Sequence, residues 1–320
     1  MALYTQVDDQ SLTIISGQYE LGNIMDYRVL NGGSENTNYW LKSSTGEYVL
    51  TICEQKSKME AQNLAYLLVH LNEHGFETSQ MVQNKAKTWV TLFKDKPILV
   101  KKYIDGIISE QFSDQQMQAI GKQLAHLHTL KVPSFIPNQL GYGIQHFTKV
   151  NTVSPEAPFC AWLMNTKAYI DSFLQEDLPK ALIHSDLFYN NIILEPKTSK
   201  VTVMDFEEAA FYYRIYDIGM TLVGTCNFDR KLDLAKAKQL LFAYQQQSSL
   251  SQEEQRALQA FTVYAATATA FWRYMHYNFV KPEDQHKDRY KEMQMLASQI
   301  RSIPTLEFQA LLSSKISSSK

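Results

Sequence analysis

The sequence predicts an α+β protein of two lobes. Short runs rich in β-branched and aromatic residues, separated by turn clusters, fill the first hundred residues. Apolar stripes at helical spacing dominate after residue 104. No flexible linker separates the two regions, so the expected limits are 1–103 for a strand-rich lobe and 104–320 for a helical one. Two lobes sharing a cleft is the economical arrangement, and such clefts are where ligands usually sit.

Each element has a local reason. Residues 9–16 read as a short helix. Asp26–Leu30 is strand-like and runs into the turn cluster Asn31-Gly-Gly-Ser-Glu-Asn36. Thr37–Lys42 and Glu47–Cys53, joined by Ser43-Ser-Thr-Gly46, read as a hairpin. Leu64, Leu67, Leu68 and Leu71 recur at helical spacing within Met59–His74, and Gly75 stops that helix. Trp89–Phe93 and Pro97–Tyr103 complete about five strands. Helices are then expected over Gln115–Leu130, Ala161–Gln175, Leu232–Gln247, Gln252–His276 and Lys287–Ile300. Short β-like runs in Ala181–Ile193 and Lys200–Phe206 interrupt them around a polar cluster.

Composition narrows the class. The 320 residues suit about two domains, and 45% hydrophobic with 20% charged residues supplies a packed core and excludes a disordered chain. A net charge of −2 offers no overall field for nucleic acid or anionic lipid. Cys53, Cys160 and Cys226 lie far apart without metal-ligand spacing, which fits a reducing compartment. No signal peptide is evident. The apolar stretch Ala257–Trp272 is short for a membrane span and contains Gln259, Thr262, Thr267 and Thr269, so it reads as a buried helix. A cytoplasmic location without membrane or nucleic-acid partners is expected.

The phosphate loop GxxxxGK[ST] and the motifs GxGxxG, GxSxG and HExxH are absent. The informative stretch is Leu182-Ile-His-Ser-Asp-Leu-Phe-Tyr-Asn-Asn-Ile-Ile-Leu194, followed by Val203-Met-Asp-Phe-Glu-Glu208 and Tyr216-Asp-Ile-Gly219. Apolar runs flank each polar group, as expected where buried strands emerge at a cleft. Phosphoryl transfer needs a carboxylate on the acceptor hydroxyl, oxygen ligands for Mg²⁺, and amides or cations on the phosphates. His184, Asp186 and Asn191 match the HxDxxxxN loop of protein kinases, and Asp205-Phe206 matches their metal-binding pair. On this reading Asp186 orients the hydroxyl, while Asn191 and Asp205 hold Mg²⁺. The bland alternative makes Asp186 and Asn191 turn formers and Asp205 a helix cap. His184 and Asp217 read as structural support that shapes and braces the loop.

These residues resemble the aminoglycoside phosphotransferase and choline kinase superfamily, over nearly the whole chain. The resemblance implies a protein-kinase-like two-lobed fold and ATP with Mg²⁺ as cofactors. The stretches Met1–Val7, Asn31–Tyr39 and Tyr48–Glu54 look like bacterial homoserine kinase of the phosphotransferase-like type. Met204–Gly219 looks more like choline and ethanolamine kinases. The resemblance places adenine near Lys102, Tyr103 and Ile104, held by backbone hydrogen bonds. It sets Asn31–Asn36 over the phosphates, where Gly32, Gly33 and Ser34 allow close backbone approach. That turn could equally be an ordinary hairpin connection. One departure stands out. Thr51 sits where most kinases carry a strand lysine on the phosphates. The homoserine kinases it resembles share this feature. Lys42, Lys56 or Lys58 could supply the cation, with Glu60 orienting it or simply standing as a solvated helix-start acid stabilised by the dipole.

The expected acceptor is a small hydroxylated amine or amino acid. Glu207, Glu208 and Trp272, with Tyr274 and Tyr277, could meet its cationic nitrogen. Arg273 or Arg214 could meet a carboxylate. Trp272 and its neighbours could instead be core packing. Homoserine kinase is the first reading and choline or ethanolamine kinase the second. A nucleotide-binding pseudokinase, motivated by the missing lysine, is the third.

Overall fold

The computed structural model describes residues 5–30, 36–174, 177–195 and 200–313. It forms two compact units. One holds the residues up to Gly106 together with Thr202–Glu207. The other holds Ile107–Val201 and the residues from Glu208 onward. The sequence drew one boundary at residue 103 and left 202–207 with the helical lobe. That segment belongs to the first unit because the Val203 amide donates to the Glu77 carbonyl at 3.0 Å and Phe206 packs edge-on to Phe76. Local apolar patterning does not record such a return of the chain.

The first unit contains α1 (Asp9–Tyr19), β1 (Ile24–Val29), β2 (Asn36–Ser43), β3 (Gly46–Cys53), α2 (Lys58–Glu73), β4 (Val90–Phe93) and β5 (Lys96–Lys102). The strands form an antiparallel sheet in the order β1-β2-β3-β5-β4. Strand alternation gives the sheet two unlike faces. Leu41, Leu50, Ile52, Ile98 and Val100 pack with Leu12, Ile15 and Tyr19 of α1. Cys53, Val90 and Leu99 pack with Ala61 and Ala65 of α2. Thr51 alternates with Leu50 and Ile52 and so belongs to the α2 face. A capping box starts α2: the Ser57 hydroxyl accepts from the Glu60 amide, and Glu60 accepts from the Ser57 amide. Such a cap is worth about 1 kcal/mol.

The second unit is largely helical, as the sequence predicts. Its helices are α3 (Asp114–Leu127), α4 (Val150–Val153), α5 (Pro158–Asp171), α6 (Arg214–Thr225), α7 (Leu234–Gln245), α8 (Gln252–Met275), α9 (Tyr290–Ser302) and α10 (Thr305–Ala310). The helix α8 is buried along Ala257–Phe271 and packs against α6 and α9. A Cβ on Gly219 would fall 2.8 Å from the Phe261 carbonyl, so this glycine permits the close α6–α8 approach. No described helix is long and apolar enough to cross a membrane. Two short strands carry the polar motifs, β6 (Lys180–Ile183) and β7 (Ile192–Leu194). β6 pairs antiparallel with Ala210–Tyr213, a strand the sequence reading does not anticipate.

Candidate active site

The polar cluster around Asp186 starts where β6 ends. Asp217, on α6, has no solvent exposure. Its carboxylate accepts the amides of His184 (2.9 Å) and Ser185 (2.7 Å). His128 Nε2 lies 3.1 Å from Oδ2 of the same carboxylate, and its Nδ1 lies 2.9 Å from the Tyr244 hydroxyl. A buried carboxylate is tolerable only with such partners. The loop hanging from it is strained: Ser185 adopts φ +67°, a left-handed conformation that disfavours a Cβ by about 1–2 kcal/mol. Every polar group of Ser185 is tied down. Its hydroxyl donates to the Glu208 carbonyl at 2.5 Å, and its carbonyl accepts from the Tyr142 hydroxyl at 2.9 Å. Strain persists where the surroundings over-determine it in this way.

The strained turn aims the next residue. The Asp186 amide donates to His184 Nδ1 at 3.2 Å, so the His184 proton resides on Nε2. The Asp186 carbonyl accepts from the Phe188 amide (3.0 Å) and from Asn191 Nδ2 (2.9 Å). Leu187 is buried, and a Cβ on Gly224 would fall 2.3 Å from its carbonyl. The loop backbone is therefore pinned along its length while the Asp186 side chain stays half-buried. Glu208 also borders this loop, since its carbonyl accepts from the Ser185 hydroxyl, and a Cβ on Gly141 would lie 3.1 Å from its Oε2. Burial and then the charges of Asp186 and Glu208 push the Tyr142 hydroxyl well above its ordinary range.

The end of α8 divides its aromatics. Tyr274 is buried and stacks on Phe159 at 4.2 Å, so core packing describes it. Trp272 is half-buried, stacked on His276 at 4.6 Å and edge-on to Tyr277 at 5.8 Å. Arg273 Nη1 reaches Glu292 at 3.0 Å and the Arg289 carbonyl at 3.2 Å. Burial, then the neighbouring Arg289, lowers its pKa. The charges of Arg289 and Arg273 also act on Tyr189 of the Asp186 loop, opposing the upward push that burial and Glu110 give its hydroxyl. Arg214 is a structural pin: Nε and Nη2 each donate to the buried Glu254 at 2.7 Å, and Nη1 donates to Ser248. That removes it as a candidate for meeting an acceptor carboxylate.

The remaining sequence-predicted residues lie on the first unit. Asp205 takes φ +64°. Two residues on, Glu207 accepts from Asn36 Nδ2 at 2.6 Å and pairs with Lys56 Nζ at 3.1 Å. Thr51 is buried and donates to Asn38 Oδ1 at 2.7 Å. Glu60 accepts from the Ser57 amide and hydroxyl, which makes it a helix cap. The Lys102 amide donates to the Gln80 carbonyl (2.8 Å) and the Tyr103 amide to the Glu47 carbonyl (3.0 Å). Neither amide is left for a base, and Ile104 opens the segment beyond them. Lys102 and Tyr103 line an open pocket of about 520 Å³ with Thr45, Gly46, Glu47, Tyr48 and Asp105. Gly32, Gly33 and Ser34 lie outside the described residues.

Sequence reasoning missed His128 and Tyr142. His128 lies in Leu124-Ala-His-Leu-His128 at the end of an ordinary amphipathic helix, and Tyr142 sits in a loop. Neither position carries a local signal, since each acquires its role from a partner more than forty residues away.

Comparison with known proteins agrees with this architecture. Residues 26–250 match the model of the phosphotransferase enzyme family, and the chain belongs to it. It is 27% identical over 268 residues to homoserine kinase of Methylobacterium sp. (strain 4-46), covering 81% of this chain and 83% of that protein. Two solved structures share the protein-kinase-like fold. The microcompartment-associated aminopropanol kinase has a TM-score of 0.71 at 16% identity, covering 94% of this chain and 99% of that one. The Plasmodium vivax ethanolamine kinase has a TM-score of 0.66 at 15% identity, covering 93% and 91%. The protein is an enzyme of the small-molecule kinase class.

Proposed function

We propose that this enzyme transfers the γ-phosphoryl group of ATP to the hydroxyl of a small amino acid, with homoserine as the first acceptor. The observation that carries the reading is the Asp186 loop, whose backbone is fastened on all sides and whose carboxylate is half-buried. Asp186 takes the role of orienting the acceptor hydroxyl and accepting its proton. Glu208, which borders Tyr142, suits the acceptor's ammonium group, and Arg273 suits its carboxylate. Trp272 supplies an aromatic face to the same acceptor. Glu207 is engaged by Lys56 and Asn36, so we withdraw it from acceptor binding.

Asn191 and Asp205 are the two oxygen donors assigned to Mg²⁺. Their chemistry suits a hard cation: Asn191, whose Nδ2 donates to the Asp186 carbonyl, offers an amide oxygen, and Asp205 offers a carboxylate. The chemistry Mg²⁺ would supply there, if bound, is neutralisation of phosphate charge. The base is assigned to the backbone from Ile104 onward, because the Lys102 and Tyr103 amides are used within the protein. Gly32, Gly33 and Ser34, outside the described residues, are proposed for the phosphates on the resemblance alone.

The homoserine choice follows the 27%-identical relative and the presence of Arg273. An aminopropanol- or ethanolamine-type acceptor is the second reading, favoured by the likeness of Met204–Gly219 to choline and ethanolamine kinases. A coupled ADP-release assay over homoserine, choline, ethanolamine and aminopropanol separates them. Homoserine turnover at least tenfold above the others is expected. Turnover of choline or ethanolamine with none of homoserine would sink the first choice. Asp186→Ala should cut turnover by about 10³-fold or more with nucleotide affinity nearly intact.

A further inference from the structure

A kinase without a strand lysine still has to neutralise the triphosphate. At Thr51 the side chain is buried and its hydroxyl is bonded to Asn38, so that position holds no cation. Lys58 opens α2 on an exposed site, and Lys42 lies on β2, its backbone opposite Glu47. Lys56 is different. It follows β3 directly, its side chain is 22% exposed, and Nζ lies 3.1 Å from Glu207, itself 15% exposed. Glu207 is held from its other oxygen by Asn36, the first described residue after position 30.

These groups gather at the end of β3, on the α2 face that Thr51 shares. Cys53, two residues past Thr51, feels them. Burial first, then the Glu207 charge, pushes its thiol up to about 12, while Lys101 and Lys56 pull the other way. Asp205 is two residues from Glu207 on the same segment.

We propose that Lys56 is the cation that contacts the nucleotide's phosphates, with Glu207 and Asn36 as its positioning residues. In most kinases a strand lysine is oriented by a helix glutamate. Here a loop lysine is oriented by the second residue after the metal aspartate. Glu60 is thereby free of that duty and serves α2 as a cap. The Lys56–Glu207 pair is partly exposed, so the lysine can exchange a carboxylate oxygen for a phosphate oxygen at small desolvation penalty.

The assignment rests on the kinase reading above, and the test keeps the two apart by measuring binding and turnover separately. The probe is AMP-PNP with Mg²⁺, titrated calorimetrically into the full chain. Lys56→Met should raise its Kd, and the KM for ATP, by about 10- to 100-fold, as expected for loss of a charge-assisted contact. Lys56→Arg should recover most of that loss, and Glu207→Gln should fall between. Acceptor KM should move little in all three. Wild-type-like AMP-PNP binding by Lys56→Met overturns the assignment, as does a loss carried by Lys101→Met or Lys58→Met instead. Wild-type chain that binds AMP-PNP but phosphorylates no alcohol sinks the acceptor reading alone. Wild-type chain that binds no nucleotide sinks both. A melting curve confirms that each variant is folded, and Lys56→Gln replaces Lys56→Met if the latter is not.

Discussion

The Asp186 loop hangs from Asp217, which has no exposure and whose two oxygens serve His184, Ser185 and His128. The segment after Asp205 is held by Glu207, whose partner Lys56 sits at the surface of its unit with 22% of its side chain exposed. The first arrangement is desolvated, and its groups are engaged within it. The second is partly exposed to solvent. A carboxylate that must meet a neutral hydroxyl gains from a preset position. A lysine that must meet a polyphosphate gains from a pairing that an incoming anion can replace. On the roles proposed above, each region places its stability where its ligand would require it.

The largest test of this contrast is Asp217→Ala. It leaves two buried amides without an acceptor and removes what holds Ser185 at its strained φ. A loss of about 3–5 kcal/mol in chemical denaturation is expected. A loss under 1 kcal/mol would mean the loop does not depend on its anchor. His128→Leu should cost less, about 1–3 kcal/mol, because Asp217 keeps its two amide partners. Here kcat should fall with the nucleotide KM unchanged. A rise in that KM alone would move His128 out of the Asp186 support.

The smallest effect belongs to the first unit and shows as pH dependence. Burial alone would raise the Glu54 pKa. Hydrogen bonds from Lys96, Thr37 and Thr5 outweigh it and hold the carboxyl below its ordinary value. A depressed acid stabilises the fold above its unfolded pKa, near 4.5 here, and that contribution disappears as pH falls through the folded value. The Tm difference between wild type and Glu54→Gln should therefore be present at neutral pH and shrink below about pH 4.5. A difference constant with pH would show that the charge contributes nothing.

Much of the fold was legible because its signals are local. The hairpin of β2 and β3, the leucine spacing of α2 and the apolar length of α8 are written in consecutive residues. The pairing of Ala210–Tyr213 with β6 was not, since its partner strand lies more than twenty residues earlier. Asp186, Asn191 and Asp205 stood out as polar residues between apolar runs. Trp272 and Tyr274 could not be sorted by sequence, since both lie on one aromatic-rich helix. Tyr274 meets Phe159, while Trp272 stacks along its own helix on His276.

The chain's own order of residues determined the two-lobed α+β class, the strand and helix succession and the identity of the polar cluster, because propensity, capping and short spacings act within a few residues. Tertiary structure decided the partners. It gave Glu207 to Lys56, Arg214 to Glu254 and His128 to Asp217. A charge takes whichever opposite group the folded backbone brings within hydrogen-bond reach, and that proximity is set by packing between segments far apart in the chain.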